Sequence, residues 1–519
     1  MPATLKRLPP VPPTGPSAPT TLIDQLLAEQ STLQTPVAKF SEHHQQKQHS
    51  ESDLAPHYRQ LIPLSKPGAG EQYAFEVTLD RCTGCKACVS ACHSLNGLDE
   101  DEVWRDVGTL FGGEEAPAWQ QTVTTACHHC EDPGCLNGCP VGAYEKEPDS
   151  GIVRHLDDQC IGCSYCILKC PYDVPKYSKK RGIVRKCDMC HQRLAVCEAP
   201  ACVQACPTEA IRIVTVPTEK SPETRAQTGD LFHRQSKKQS AIPPSHITLP
   251  TTRYIGRPVP ATAYAADRAA LTPQHAHWPL VFMLVFTQAG LGLIARFLQT
   301  PNPIPLFAGS VIFYLGMAAS VLHLGQPLKA WRFFIGLKTS WLSREILAFS
   351  LFAPIPLILC SLPYLPDLPY KEEILRLTTY ATLPAGLLAV FTSVMIYHDT
   401  RRDLWRFPRG AIRFFGTVAA FAALAHPIIL SAVILLKLLP ELRFLRHRNA
   451  SAWSPDAHSA RLQLRPLRAI FRTRVILALC AIPAAFISPW LAFPFLLGSE
   501  ILERQLFFQS VQAPKMPGI

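Results

Sequence analysis

Cysteine is nearly absent from the last 310 residues, which contain only Cys360 and Cys480, whereas residues 82–206 hold 17 of the 19 cysteines. Long apolar runs show the opposite distribution, since residues 1–277 lack them and residues 278–508 consist mostly of such runs separated by basic loops. No Gly-rich phosphate loop, Ser-His-Asp set or paired-carboxylate pattern stands out. These absences argue against a nucleotide-binding or hydrolytic enzyme. The two halves are predicted to lie in different solvents.

The net charge of +11 does not indicate a nucleic-acid partner. Basic residues lie mainly beside the apolar runs, and aromatic residues do not alternate with them along a soluble basic face. A membrane surface accounts for this distribution better. The 47 % apolar content is therefore interpreted as the sum of a polar domain and a membrane domain.

The cysteine-rich region is predicted to bind metal rather than to form disulfides. A disulfide framework requires export, and the N-terminal stretch MPATLKRLPPVPPTGP has neither an apolar signal core nor a twin arginine. The thiols fall into four quartets, with Cys197 left over. The quartets are Cys82, Cys85, Cys88 and Cys92; Cys127, Cys130, Cys135 and Cys139; Cys160, Cys163, Cys166 and Cys170; and Cys187, Cys190, Cys202 and Cys206.

The spacing within the quartets favours iron–sulfur cubes over zinc. A zinc site usually takes two ligands from each of two separated Cys-x-x-Cys turns. The stretch CTGCKACVSAC instead supplies three thiols from one continuous loop, and a fourth follows at Cys92. Pro140, Pro171 and Pro207 directly follow the last cysteine of the other three quartets, as in bacterial ferredoxins, whereas His93 takes that place in the first. A zinc-stabilised scaffold remains the alternative.

The four spacings, including CDMCHQRLAVCEAPACVQACP, resemble the four-cluster iron–sulfur subunit of the dimethyl sulfoxide reductase family of molybdenum enzymes. The resemblance covers about residues 73–215 and implies a ferredoxin-like α+β domain with four 4Fe-4S clusters. It also implies that each quartet gives its last cysteine to a partner quartet. The implied ligand sets are Cys82, Cys85, Cys88 with Cys206; Cys187, Cys190, Cys202 with Cys92; Cys127, Cys130, Cys135 with Cys170; and Cys160, Cys163, Cys166 with Cys139. Cys197 has no counterpart.

Four apolar runs in the second half are each long enough to cross the roughly 30 Å hydrocarbon core as a helix. They are residues 278–299, 304–324, 345–364 and 377–397. Two further stretches, 411–446 and 473–508, are each 36 residues long, with Pro427 and Pro489 near their middles. Each is either one long kinked helix or a pair of short helices.

Loop charges distinguish six spans from eight. With eight spans, the basic loops 325–344, 398–413 and 447–472 all lie on the side of the N-terminal domain, whereas six spans put the last two on opposite sides. The positive-inside rule therefore favours an all-α bundle of about eight helices, with both termini and the iron–sulfur domain in the cytoplasm. The predicted location is the cell inner (cytoplasmic) membrane.

The segment HWPLVFMLVFTQAG, followed by HLGQPLKAW and LSREI, resembles the eight-helix membrane anchor of the same reductase family. The resemblance implies that His323 and Glu345 belong to a quinol site. Ionisable residues at span ends agree with this, although an interfacial His or a charge at a helix N-terminus is the simpler alternative. A haem held by two of His323, His398 and His426 is a further alternative.

The predicted organisation has four parts. Residues 1–72 form a Pro-rich, mostly disordered segment with a short amphipathic helix at Leu22, Ile23, Leu26 and Leu27; residues 73–215 form the iron–sulfur domain; residues 216–276 form a linker; and residues 277–510 form the membrane anchor. The resemblance implies a non-catalytic electron-transfer and anchor subunit of anaerobic respiration, with quinone and a separate molybdopterin-containing chain as partners. An anchor of a hydrogenase or a sulfur or polysulfide reductase is the alternative.

Overall fold

The structure is a computed structural model. It describes residues 60–112, 119–218, 242–243, 245–260, 262–366 and 369–518, and eight positions between residues 21 and 42. The predicted Pro-rich start, residues 1–20, and residues 219–241 of the predicted linker lie outside the described residues. In the predicted N-terminal amphipathic helix, Leu22 and Ile23 are helical and exposed, and the other two leucines lie outside the described residues.

Short strands and short helices make up the cysteine-rich region. The strands are β1 (Glu71–Thr78), β2 (Asp106–Gly112), β3 (Trp119–Thr125), β4 (Tyr144–Lys146), β5 (Val153–His155), β6 (Lys176–Ser178), β7 (Ile183–Arg185), β8 (Ile211–Pro217), β9 (Arg253–Ile255) and β10 (Tyr264–Ala265). The helices are α1 (Ala87–Asn96), α2 (Gly134–Gly138), α3 (Tyr165–Lys169), α4 (His191–Leu194) and α5 (Ala201–Gln204). The predicted α+β class is confirmed.

The sheets connect distant cysteine quartets. In the first sheet β1 lies between β8 and β9, so the start and the end of the cysteine-rich region are neighbouring strands. The hairpin of β4 and β5 joins the second quartet to the third, and the hairpin of β6 and β7 joins the third to the fourth. Strand β1 is well buried because Tyr73, Phe75 and Val77 pack into the core of this region. This topology brings cysteine loops that are far apart in the sequence close together in the fold.

Two later segments complete the cysteine-rich region. Strands β9 and β10 come from the predicted linker and pair with β1 and β2. At the other end of the chain, Met516 is fully buried in the same core, and the Nζ atom of Lys515 lies 2.5 Å from a carboxylate oxygen of Asp267. Gly108 on β2 gives the C-terminal segment room, since a Cβ atom there would lie 2.1 Å from the carbonyl carbon of Pro517.

The second half of the chain is helical. The helices are α6 (Trp278–Gln299), α7 (Pro303–Val321), α8 (Trp341–Phe352), α9 (Pro354–Ser361), α10 (Lys371–His398), α11 (Phe407–Ala422), α12 (Pro427–Phe444), α13 (Pro455–Leu464), α14 (Arg468–Ile487) and α15 (Pro489–Gln509). Helices α6 and α7 approach closely at Gly290 and Gly309, where a Cβ atom on either residue would meet the other's carbonyl oxygen. Small residues allow such packing between membrane helices.

Both 36-residue stretches are helix pairs. Pro427 and Pro489 are the first residues of α12 and α15, a position at which the missing N–H would have no helical partner. With α8 and α9 counted as one segment, eight long helical segments follow residue 277 in the described part of the chain. That all eight cross the membrane stays a prediction. Five segments in the described residues are long and apolar enough, by length and composition, to cross a membrane. They are α6, α7, the α8–α9 segment through Tyr364, α10 and α14.

Buried charged residues lie within the last four long helices. Lys437 on α12 contacts Glu500 on α15, and a guanidinium nitrogen of Arg474 on α14 lies 3.1 Å from Glu441. Arg504 on α15 donates to the side-chain oxygen of Gln288 on α6 at 3.0 Å. Paired charges of this kind hold helices together where unpaired charges would be costly.

Candidate cofactor sites

The four cysteine loops share one backbone feature. The third residue of each leading Cys-x-x-Cys turn has a positive φ: Gly84 (77°), His129 (41°), Gly162 (69°) and Met189 (61°). In the third and fourth loops, the N–H groups of Gly162 and Met189 donate to the Sγ atoms of Cys160 and Cys187 at 3.3 and 3.4 Å. A left-handed turn therefore directs backbone donors toward sulfur in these loops, and such hydrogen bonds stabilise thiolates.

One cavity joins the first quartet to the last cysteine of the fourth. It is lined by Cys82, Cys85, Cys88 and Cys206, together with Gly84 and Thr124. The N–H group of Ala210 donates to the Sγ atom of Cys206 at 3.2 Å. Strand β8 begins at the next residue, so its pairing with β1 carries Cys206 to the first loop.

A second cavity joins the second quartet to the third. Its lining includes Cys127, Cys130 and Cys135 and also Cys170, which ends the third quartet. Burial raises the pKa of the Cys130 thiol, and the neighbouring thiols of Cys127 and Cys170 raise it further. A cationic centre would relieve this crowding of buried thiols, because a coordinated thiol loses its proton.

The remaining thiols also gather in two groups. Burial raises the pKa of Cys92, and the thiol of Cys202 raises it further. In the other group, burial raises the pKa of Cys163, as does the thiol of Cys139. The last cysteine of each quartet therefore lies near the thiols of another quartet. Cys197 is apart from these groups, with its Sγ atom 4.0 Å from the carbonyl oxygen of Leu64.

The thiols fit a polynuclear group better than a single ion. Among the described residues, no three His, Cys, Asp or Glu side chains converge closely enough to hold one metal ion. Four thiols instead line each of the two cavities, as the ligands of an iron–sulfur cube must. The buried N–H···S hydrogen bonds and the shared loop conformation fit the same group.

A third cavity lies where the cysteine-rich region meets the membrane helices. Its volume is about 150 Å³, and its lining includes both His323 and Glu345. Cys163, His277 and Tyr397 also line it, as do Tyr165, Leu280, Met283, Met317 and Phe349. The walls are therefore mostly apolar, with a few polar groups that converge, which is typical of a site for a small molecule.

His323 connects this cavity to a cysteine loop. The carbonyl oxygen of Cys163 lies 2.8 Å from the Nε2 atom of His323, so this nitrogen carries the hydrogen and donates it. Glu345 is 6 % exposed and accepts a hydrogen bond from the hydroxyl of Ser393 on α10. The two residues predicted for a quinol site thus line one cavity together.

Hydrogen bonds hold the cysteine loops on the membrane helices. The N–H group of Gln326 donates to the carbonyl oxygen of Ile161 at 3.0 Å, and the hydroxyl of Ser340 donates to that of Gly138 at 2.8 Å. The Nζ atom of Lys169 lies 2.7 Å from a carboxylate oxygen of Asp399. This contact surface fixes the third cavity against the loop of Cys163.

Three lining residues were not predicted from the sequence. His277 precedes α6 at the start of the segment HWPLVF, and Tyr397 lies one residue before His398, the end of α10. Tyr165 comes from the cysteine loop and donates to the backbone oxygen of Ile396 at 3.2 Å. Only His277 had a local signal, since it directly precedes the apolar run that begins at Trp278. The two tyrosines are recognised only through the tertiary contact.

The histidines considered for haem have different surroundings. His398 accepts a hydrogen bond from the N–H group of Phe407 at 3.3 Å and is exposed. His426 lies in the turn between α11 and α12, at the opposite end of the bundle from His323.

Comparison with known proteins identifies both halves. Residues 119–216 match the family described as "4Fe-4S dicluster domain", and residues 273–446 match "DMSO reductase anchor subunit (DmsC)". The second match and the apolar helices establish a multi-pass membrane protein. Helices α13, α14 and α15 lie beyond the matched range.

Similar curated proteins are iron–sulfur subunits. The B subunit of the anaerobic dimethyl sulfoxide reductase of Escherichia coli (strain K12) is 37 % identical over 187 residues, which cover 34 % of this chain and 86 % of that protein. The B subunit of the corresponding Haemophilus influenzae enzyme is 35 % identical over 189 residues, covering 35 % and 87 %. The iron–sulfur subunit of the nitrate-inducible formate dehydrogenase of E. coli is 36 % identical over 173 residues, covering 29 % and 58 %. The chain therefore belongs to the family of dimethyl sulfoxide reductase iron–sulfur subunits, with a DmsC-type membrane anchor in the same polypeptide.

Proposed function

We propose that this protein is the electron-transfer and membrane-anchor subunit that links the quinone pool to a separate molybdopterin-containing catalytic subunit. The observation that carries the proposal is the third cavity, which combines His323 and Glu345 with Cys163 of a cysteine loop. A quinol bound there would lie against the iron–sulfur region.

The proposed ligand sets follow the observed gathering of thiols. Cys82, Cys85, Cys88 and Cys206 hold one cluster, and Cys127, Cys130, Cys135 and Cys170 hold another, as their two cavities support. Cys187, Cys190, Cys202 and Cys92 hold a third, and Cys160, Cys163, Cys166 and Cys139 hold a fourth, which the electrostatic influence among these thiols supports. When bound, 4Fe-4S clusters accept and pass on single electrons.

The residues of the third cavity have separate proposed roles. The Glu345 carboxylate accepts a proton from the quinol hydroxyl, and Ser393 orients that carboxylate. His323 is held by the carbonyl of Cys163 and positions the quinone head group beside the cysteine loop. The apolar walls exclude water from the ring.

The catalytic partner is proposed to bind at the opposite end of the series of cysteine loops. Cys85 and Lys86 are exposed, whereas Cys163 faces the membrane helices. The thiol of Cys127 raises the pKa of Cys187 beyond the effect of burial, so the two pairs of cysteine loops are neighbours. Electrons therefore have a route from the membrane face to the exposed loop.

A direct test is reduction of the purified full-length chain by a quinol analogue under anaerobic conditions. We expect an electron paramagnetic resonance signal of reduced 4Fe-4S clusters to develop, because the donor site and the clusters belong to one polypeptide. Co-purification of a molybdenum-containing large subunit with a tagged chain tests the partner. Clusters that dithionite reduces but a quinol does not would contradict the quinone part of the proposal.

Iron content tests the ligand sets. Four cubes need 16 thiolates, so the anaerobically purified chain is expected to contain about 16 iron atoms and about 16 acid-labile sulfides. Metal analysis by mass spectrometry is the measurement, with Cys360→Ser as the control that should not change the content. Stoichiometric zinc with little iron would support the zinc-scaffold alternative instead.

Orientation is also a proposal: the iron–sulfur domain faces the cytoplasm of the inner membrane. The basic loops of the membrane domain lie on the side of the iron–sulfur domain. Basic residues can also lie there because they contact that domain, as Arg332 does when it donates to the backbone oxygen of Asp158 at 3.4 Å. The side of the membrane on which the iron–sulfur domain lies therefore has to be measured separately. The buried Met516 makes a C-terminal reporter unsuitable, because a fusion would disturb the core.

Labelling of single introduced cysteines measures the orientation. Lys338 is exposed near the start of α8 and Glu372 is exposed near the start of α10, at the two opposite faces. In right-side-out vesicles, a membrane-impermeant maleimide is expected to label Glu372→Cys and not Lys338→Cys; in inverted vesicles the result should reverse. The unsubstituted chain gives the background. The opposite pattern would place the iron–sulfur domain outside the cytoplasm.

A further inference from the structure

Two buried cations in the described cysteine-rich region form no direct ion pair with a carboxylate. Arg105 and Lys186 are each 2 % exposed. Within the described residues, neither forms an ion pair with an Asp or Glu side chain. Arg185, the neighbour of Lys186 in the sequence, does form such an ion pair. Its guanidinium lies 3.0 Å from the carboxylate of the buried residue Glu102.

Arg105 lies between the first and fourth cysteine loops. Its Nη1 atom donates to the hydroxyl of Thr124 at 3.2 Å, and that hydroxyl lies 3.5 Å from the Sγ atom of Cys88. Burial by itself would lower the pKa of Arg105, but the thiolates of four nearby cysteines raise it overall. In order of their effect, these are Cys202, Cys88, Cys187 and Cys92.

Lys186 lies between the second and fourth loops. Its Nζ atom donates to the backbone oxygen of Cys187 at 2.8 Å and also to that of Val153. Lys186 also lines the second cavity with Cys127 and Cys135. Burial would lower the pKa of this amine, but Cys127, Cys135, Cys187 and Asp188 raise it overall. Each cation thus adjoins two of the proposed ligand sets, and both adjoin the set that contains Cys187.

An isolated buried charge is expensive, so each of these cations needs an anion nearby. Four thiolates around an iron–sulfur cube leave a net negative charge, which increases by one when the cluster is reduced. A fixed positive charge in a medium of low dielectric constant therefore favours the reduced form.

We propose that Arg105 and Lys186 are internal counterions of the clusters and raise their reduction potentials. The inference rests on the proposed cluster ligation. It predicts a pattern: Arg105 acts on the clusters of Cys88 and Cys187, and Lys186 acts on the clusters of Cys127 and Cys187.

The test is a redox titration of the full-length, anaerobically purified chain, monitored by electron paramagnetic resonance. Arg105→Gln and Lys186→Gln are each expected to shift two of four midpoint potentials to more negative values, with one cluster shifted by both variants. The charge-conserving variants Arg105→Lys and Lys186→Arg should stay close to the parent. Lys179→Gln is the matched control, since Lys179 is an exposed cation of the same domain that pairs with Asp101.

The outcomes separate this inference from the proposed function. A parent chain without 4Fe-4S signals would refute the cluster assignment itself. Four clusters with potentials unchanged in both Gln variants would refute the role of the cations while leaving the assignment intact. If a Gln variant loses iron, retention of iron by its charge-conserving counterpart supports the counterion role, and loss of iron from both counts against it.

Discussion

Replacing Glu345 with Gln should slow the reduction of the clusters by a quinol at least about 10²-fold, the lower end of what a positioned general base contributes. Gln has nearly the same shape and still accepts the hydrogen bond from Ser393, but it cannot take up a proton from the quinol hydroxyl. Stopped-flow mixing of the oxidised chain with a quinol analogue, followed by the loss of cluster absorbance, measures the rate directly.

Two comparisons isolate the role of this carboxylate. Glu372→Gln removes a carboxylate from the first turn of α10, at the other end of the bundle from the third cavity, and should leave the rate unchanged. Dithionite should reduce the clusters of Glu345→Gln at the parent rate, because that reaction does not use the cavity. An unchanged quinol rate in Glu345→Gln would show that Glu345 is only a helix N-terminal charge.

His323→Ala separates positioning from proton transfer at the same cavity. The substitution removes the donor to the carbonyl of Cys163, and it should weaken quinol binding more than it slows the bound reaction. The concentration dependence of the reduction rate distinguishes the two effects.

Much of the architecture follows from local sequence patterns. The four early spans begin and end within a few residues of the helices observed, because apolar length alone determines them. The split of each 36-residue stretch also had a local cause, since Pro427 and Pro489 begin helices. The prediction for residues 473–508 says nothing of Glu500 and Arg504, whose partners lie on other helices.

Sequence spacing identified the candidate ligand cysteines, but it did not show which cysteines of different quartets lie close together in the fold. Cys206 lines a cavity with Cys82 although the two residues are 124 positions apart, and the pairing of β1 with β8 brings their loops together. Cross-pairing came from the family resemblance, because spacing within one quartet is equally compatible with four local ligands. The buried cation Arg105 was also not predicted, since nothing in its neighbourhood in sequence distinguishes it from a surface arginine.

Cys206→Ser should therefore damage the cluster of the first loop rather than that of its own quartet. Cys206 lines the cavity with Cys82, Cys85 and Cys88, and loss of one thiolate is expected to remove or convert about one cluster in four. Electron paramagnetic resonance of the reduced chain, with iron analysis, measures this loss. The matched control is Cys197→Ser, because Cys197 lies beside Leu64 and away from the four groups of thiols.

Two reference variants identify the damaged cluster. Cys85→Ser removes a thiol of the first loop, and Cys190→Ser removes one of the fourth. If the loops exchange their last cysteines, the signal lost in Cys206→Ser is the one lost in Cys85→Ser, and the signal lost in Cys190→Ser persists. A Cys206→Ser spectrum that instead matches Cys190→Ser would mean that the fourth quartet binds its cluster alone. The cavity formed where β8 returns to β1 would then be a packing feature without a ligand role.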